Sequence, residues 1–118
     1  MPLEAELFAL LTPLCPRVYP DVAPEPMPAR PFVTYQQIGG QAINPLTNDI
    51  ATKRNARMQI NVWAGTRISA SALAGQIEDA LRVSTPFQAS PIGAVTALYE
   101  PDIKLYGTQQ DFSIWHAP

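Results

Sequence analysis

Between residues 52 and 64 the chain alternates without a break, and this run limits the possible folds more than any other feature. Ala56, Met58, Ile60, Val62 and Ala64 point one way, while Asn55, Arg57, Gln59, Asn61 and Trp63 point the other. A period of two belongs to a strand with one buried and one open face. About 13 residues at roughly 3.3 Å each give a strand on the order of 40 Å long. A compact domain of this length measures only about 35 Å across. An unbroken strand therefore carries the first hairpin, through residues 39–52, beyond the body of the molecule.

The flanking segments fit the same architecture. Phe32 to Ile38 is rich in β-branched and aromatic residues and stops at Gly39-Gly40, so it predicts the partner strand. Residues 41–51 carry turn formers and little pattern. Gly65-Thr66 marks a switch to a helix with Thr66 as N-cap. Its apolar stripe is Ala70, Leu73, Ala74, Ile77, Ala80 and Leu81. Gly75 weakens that helix, and close packing on the sheet is the expected reason. Pro86 and Pro91 frame a loop. Strands are expected at Ala94–Tyr99 and Gln109–His116, separated by the turn-like Glu100-Pro101-Asp102 and Gly107.

At the other end, Leu3, Leu7, Leu10 or Leu11, and Leu14 recur at helical spacing. Glu4 and Glu6 sit in the first turn, where the helix dipole favours acids, and Pro13 closes the helix, which gives residues 3–12. Six of the 13 prolines fall between residues 15 and 31. Each fixes φ and removes a donor, so this stretch reads as an extended surface connector. Val18, Tyr19 and Val22 are its expected anchors. The expected fold is one α+β domain over residues 1–118, in the order α-β-β-α-β-β. An antiparallel sheet of about four strands would carry two helices on one face and project its first hairpin.

Composition narrows the function. Apolar residues make up 47% and charged residues 15%, so a core is within reach and disorder is not expected. A net charge of −2 argues against binding dominated by nucleic-acid phosphates, and sequence-specific nucleic-acid binding is not expected. The single cysteine, Cys15, excludes a disulfide framework and reads as a buried, inert thiol. No run is long enough to span a membrane, and residues 1–6 show no secretory signal, so a soluble, intracellular protein is expected. No phosphate cradle, histidine metal motif or catalytic carboxylate pair is present, and His116 reads as a strand-end residue. Neither an enzymatic activity nor a cofactor is expected.

Two surface features remain. Gln59-Ile60-Asn61-Val62-Trp63 and Asp111-Phe112-Ser113-Ile114-Trp115 share one pattern, which puts Trp63 and Trp115 on the polar side of the sheet. A polar face studded with indoles is a candidate protein-binding surface; the alternative is that the indoles pack under the connector or the C-terminal tail. Lys53, Arg54 and Arg57 form the one basic cluster. It is either a rim that meets an acidic neighbour or a solvated strand edge that resists aggregation.

Taken as ordered blocks, the chain resembles a known family. The blocks are a Leu-rich helix, Arg17-Val18-Tyr19-Pro20-Asp21-Val22-Ala23-Pro24, Pro31 to Gln36, Arg57 to Ala64 before a helix, and Leu105-Tyr106-Gly107 through Asp111 to His116. Together they resemble the small tail-completion (tail terminator, head–tail joining) proteins of tailed bacteriophages and prophages. The resemblance implies a structural protein of the virion tail, assembled in the host cytoplasm. Such proteins form rings, commonly of six subunits, that end tail-tube growth and meet the head connector. A ring needs two different patches per subunit; the projecting hairpin 39–57 with Lys53, Arg54 and Arg57 is the candidate to reach a neighbour or line the channel, and the polar sheet face with Trp63 and Trp115, or the proline-rich connector, is the candidate to receive it. The competing expectation is a dimeric α+β ligand-binding or regulatory module.

Overall fold

The computed structural model describes residues 3–47 and 50–118. The order is α1 (Leu3–Leu11), β1 (Val18–Pro20), β2 (Phe32–Gln37), β3 (Arg54–Ala64), α2 (Arg67–Arg82), β4 (Gln88–Pro91), β5 (Thr96–Glu100) and β6 (Leu105–His116). The sheet is six-stranded and mixed, with neighbours in the order β1-β2-β3-β6-β4 and with β5 also paired to β6. This corrects the expectation of four antiparallel strands in α-β-β-α-β-β order.

Each added strand has a physical reason. β1 arises inside the proline-rich connector and runs parallel to β2, with Val18 opposite Val33. Its proline is tolerated because the strand lies at the sheet edge, where one side of the backbone needs no ladder partner. Val18 anchors this segment, but Val22 stands exposed, contrary to its expected burial. β4 occupies part of the stretch expected to be loop between Pro86 and Pro91. It pairs with the C-terminal half of β6, and β5 pairs with the N-terminal half. The two short strands thus share one edge of β6, end to end.

β6 starts at Leu105, so Gly107 lies inside a strand and not in a turn. The reason is the neighbour opposite, Trp63. A Cβ on Gly107 would fall 2.6 Å from two ring carbons of Trp63, so the indole lies in the space a side chain would fill. Gly75, by contrast, has nothing within 4 Å of its missing Cβ, so close packing does not explain it. Gly75→Ala is therefore expected to stabilise the protein by about 0.5–1 kcal/mol. Thermal unfolding measures this, and an unchanged or lower Tm would show a hidden constraint at that position.

Both helices cover the same face, as the sequence implies. Leu3, Leu7 and Leu11 of α1 and Leu73, Ala74, Ile77 and Leu81 of α2 join Val33, Tyr35, Met58, Ile60, Val62, Phe112 and Ile114 in one core. Thr66 caps α2, its side chain accepting a hydrogen bond from the Ser69 N–H. Arg67, at the first position of α2, donates to the carbonyls of Gly107 (2.8 Å) and Leu98 (2.6 Å) and lies over the Tyr106 ring. It thereby ties the helix start to β5 and β6. Cys15 is buried and its thiol faces the Pro31 carbonyl at 3.4 Å.

Tyr35 sits in the core, across from Ile60. Burial raises its pKa above the ordinary 10.0, and the nearby Glu4 and Asp21 carboxylates add to the effect. The unfolded tyrosine then ionises before the folded one, so its contribution is complete below pH 10.0 and is lost as pH rises through the folded value. Tyr35→Phe should flatten the alkaline decline in Tm. A decline of unchanged steepness would assign it to other groups.

Candidate functional site

The sheet face away from the helices is largely polar, partly exposed from Asn55 to Gln59 and covered toward its Trp63 end, where Phe32 and Thr34 are buried. Cross-strand register places Thr34 and Gln36 of β2, Asn55, Arg57, Gln59 and Asn61 of β3, and Gln109, Asp111 and Ser113 of β6 on it. Alternation alone does this, because the partners of every outward residue of β3 also point outward. At its centre Arg57 pairs with Asp111, Nη2 to Oδ2 at 2.8 Å and Nε to the same oxygen at 3.1 Å. Asn55 donates to Ser113 Oγ at 3.0 Å and accepts from the Gln41 N–H at 2.9 Å, which fastens the start of the β2–β3 loop to the face.

Trp63 and Trp115 share this face at opposite ends. They face Gly107 and Asn55 across the β3–β6 ladder, and the eight-residue step from Asn55 to Trp63 spans roughly 26 Å. Both indoles are half-buried. Trp63 has Phe32 beside it on β2. Trp115 lies next to Gln88 on β4 and lines a cleft of about 400 Å³ with Lys53, Arg82, Phe87 and His116. Trp63, Arg57 and Trp115 therefore form a row, while Lys53 and Arg54 sit beyond its Trp115 end, where the loop joins β3.

Residues 38–53 connect β2 to β3. Ile38 and Gly39 continue the ladder against Arg57, with Ile38 N–H donating to Arg57 O and Arg57 N–H donating to Gly39 O, both at 2.8 Å. Farther along, the loop holds no helix or strand among the described residues. Leu46 is 103% exposed and Ile50 86%, with Ile43 also exposed. These three aliphatic residues were not singled out by the alternation pattern. Their signal was present as large apolar side chains in a turn-rich stretch that no periodicity explained. A shallow groove of about 440 Å³ runs between the two arms of the loop, lined by Ile43, Ile50, Lys53 and Arg54 among others. The molecule measures 53 × 27 × 24 Å. Its long axis exceeds the roughly 40 Å span of β6, in line with a hairpin that stands off the body.

On the helix face, Gln110 donates to Glu78 Oε1 at 2.7 Å and to Gly93 O at 3.0 Å. That hydrogen bond, with help from Arg82 and against a smaller effect of burial, holds the Glu78 carboxyl below its ordinary pKa. Glu78 thus ties α2 to β6. Among the described residues no cluster of His, Cys, Asp and Glu could hold a metal ion, and no helix is long and apolar enough to cross a membrane. What the surface offers is contact area: a polar face, two half-buried indoles with Arg57 between them, and an apolar loop tip with cations at its base.

The family model described as tail completion protein gp17 matches residues 4–117. No curated protein sequence matches the chain. With nearly the whole chain covered, from α1 through β6, the protein belongs to the tail completion protein gp17 family and has a structural role in a phage tail.

Proposed function

We propose that the protein assembles as a ring at the head-proximal end of the tail, commonly of six copies, where it ends tube growth and joins the tail to the head connector. The carrying observation is the exposed loop tip of Ile43, Leu46 and Ile50, with Lys53 and Arg54 at its base, in a chain of this family. Large aliphatic side chains open to water, Leu46 and Ile50 above all, are a cost to an isolated subunit and a gain to one that will be covered. A ring interface joins two different patches of one surface. The loop is one, and Arg57 and Trp115, with the half-buried Trp63 at the far end, give the polar sheet face the character of another docking surface, toward the tail-tube or connector protein. Assembly takes place in the host cytoplasm before the tail joins the head. The work is done by contact, with no reaction catalysed and no cofactor required.

Arg57 and the other two cations play different parts. Arg57 is neutralised within the subunit by Asp111. Lys53 and Arg54 form no ion pair among the described residues, and they supply the net positive charge that steers an acidic partner. Replacing Lys53, Arg54 and Arg57 together by Glu should abolish ring formation or tail docking, read by size in solution and by particle imaging. Normal assembly of that variant would remove these residues from the interface. Lys53→Glu with Arg54→Glu should carry most of the loss, with Arg57→Glu adding an effect on subunit stability.

A further inference from the structure

The surface carries a second apolar feature, well separated from the polar face. Between α1 and the end of α2 lies a groove of about 530 Å³, lined by Ala9, Leu10, Ala80, Val83 and Pro86, with Glu6 on its rim. Val83 is 78% exposed and Phe8, one position from the groove wall, is also exposed. No described residue of the 39–53 loop lines this groove, so each subunit has both an exposed apolar projection and an apolar recess apart from it.

We propose that the groove between α1 and α2 receives the loop tip of a second copy of this chain, with Ile43, Leu46 and Ile50 entering it. Volume supports the match. A cavity of roughly 150 Å³ holds one benzene-sized group, so the groove has room for three aliphatic side chains of the tip. Charge supports it as well. α1 presents Glu4 and Glu6 in its first turn and has no basic residue, whereas the loop base presents Lys53 and Arg54. Seating the tip in the groove brings the basic arm of one copy toward the acidic helix of the next, where complementary charge favours the correct register. Because projection and recess are different patches, the contact is heterologous, and such contacts close into rings when the rotation allows. The proposal rests on the ring reading and names the two surfaces that would make it.

Site-directed disulfides test the pairing, since the native Cys15 is buried. A Leu46→Cys variant is mixed with a Val83→Cys variant under assembly conditions and oxidised. The expected product is a linked heterodimer, in excess over the homodimer of either variant alone. Leu46→Cys mixed with Ser113→Cys, on the polar sheet face, should link far less. A higher yield from the 46–113 mixture would overturn the groove in favour of the polar face. Linkage confined to one chain in the Leu46→Cys/Val83→Cys double variant would overturn it in favour of a loop that covers its own groove. Without cysteines, Leu46→Asp and Val83→Asp should each weaken self-association by about tenfold or more, the loss of one well-buried anchor. Each should keep the Tm of the parent, because both side chains are exposed. Rings that form normally from both Asp variants would end this proposal and leave the ring reading standing. Linked 46–83 dimers in preparations without rings would uphold the contact and end the ring reading.

Discussion

Gly40→Ala is expected to detach the base of the β2–β3 loop and lower thermal stability sharply. Gly40 has φ +144°, a region that L side chains rarely adopt. A Cβ there would overlap the backbone carbonyl of Asn55 and press on Ala56 Cα at 3.0 Å. Neither neighbour can give way, since both belong to β3 and are fixed by pairing with Trp115 and Ile114. Strained backbone costs about 1–3 kcal/mol and forced overpacking a similar amount, so a loss of at least about 2 kcal/mol follows. For a domain of this size that is a Tm drop of roughly 8 °C or more. Gly39→Ala is the control: it shares a positive φ but has nothing within 4 Å, so its cost should be conformational alone. The chain on either side, Ile38 and Gln41, loses its registration on Arg57 and Asn55. Proteolysis within the loop should then accelerate in Gly40→Ala. Equal Tm values for the two variants would show that the close approach to Asn55 does not hold the loop.

Phe112→Ala should be still more damaging. Phe112 is 1% exposed and faces Met58 across the β3–β6 ladder. It also walls, with Ile60, Val62 and Ile77, a gap of only about 10 Å³ beneath α2, so the surroundings are already close-packed. Truncating a buried Phe costs about 3–5 kcal/mol, which combines lost transfer energy with a cavity that the walls cannot fill. Against a total stability of about 5–15 kcal/mol, the variant should melt far below the parent or fail to fold. Phe112→Leu, which retains most of the apolar volume, should recover much of the loss. A Phe112→Ala protein with near-parental Tm would mean that α2 settles onto the sheet, and the core would then be softer than its packing indicates.

Local pattern made some of this architecture legible and concealed the rest. The alternation of Asn55 to Ala64 fixes which side of β3 is buried, and the stripe Ala70-Leu73-Ala74-Ile77-Leu81 fixes which side of α2 meets it. Both signals are strong because one face of each element excludes water. β1 and β4 left little trace: each is a few residues long, contains a proline, and exists because a longer strand offers it an edge. Gly107 read as a turn because its reason for being glycine is the ring of Trp63, distant in sequence. Burial of Val22 failed for a related reason, since the ladder against β2 ends at Pro20 and nothing folds over the next residues.

The candidate surfaces divide in the same way. Trp63 and Trp115 could be assigned to the polar side of the sheet from strand period alone. Their placement at the two ends of one row required the register of β3 against β6. The Arg57–Asp111 pair joins residues 54 positions apart and is invisible to any local reading. Ile43, Leu46 and Ile50 follow neither a helical nor a strand period, because the described residues around them form no helix or strand that would impose one.

β6 also dictates an order of events during synthesis. Among the described strands it alone bonds to β3, β4 and β5 at once, and it is synthesised after all three, from residue 105 to residue 116. Until it has left the ribosome, β4 and β5 have no ladder and α2 covers an incomplete floor. Completion of the sheet therefore waits for residues 105–116, and a ribosome that stops before residue 105 releases a chain with unpaired strand edges, a substrate for chaperones and proteases.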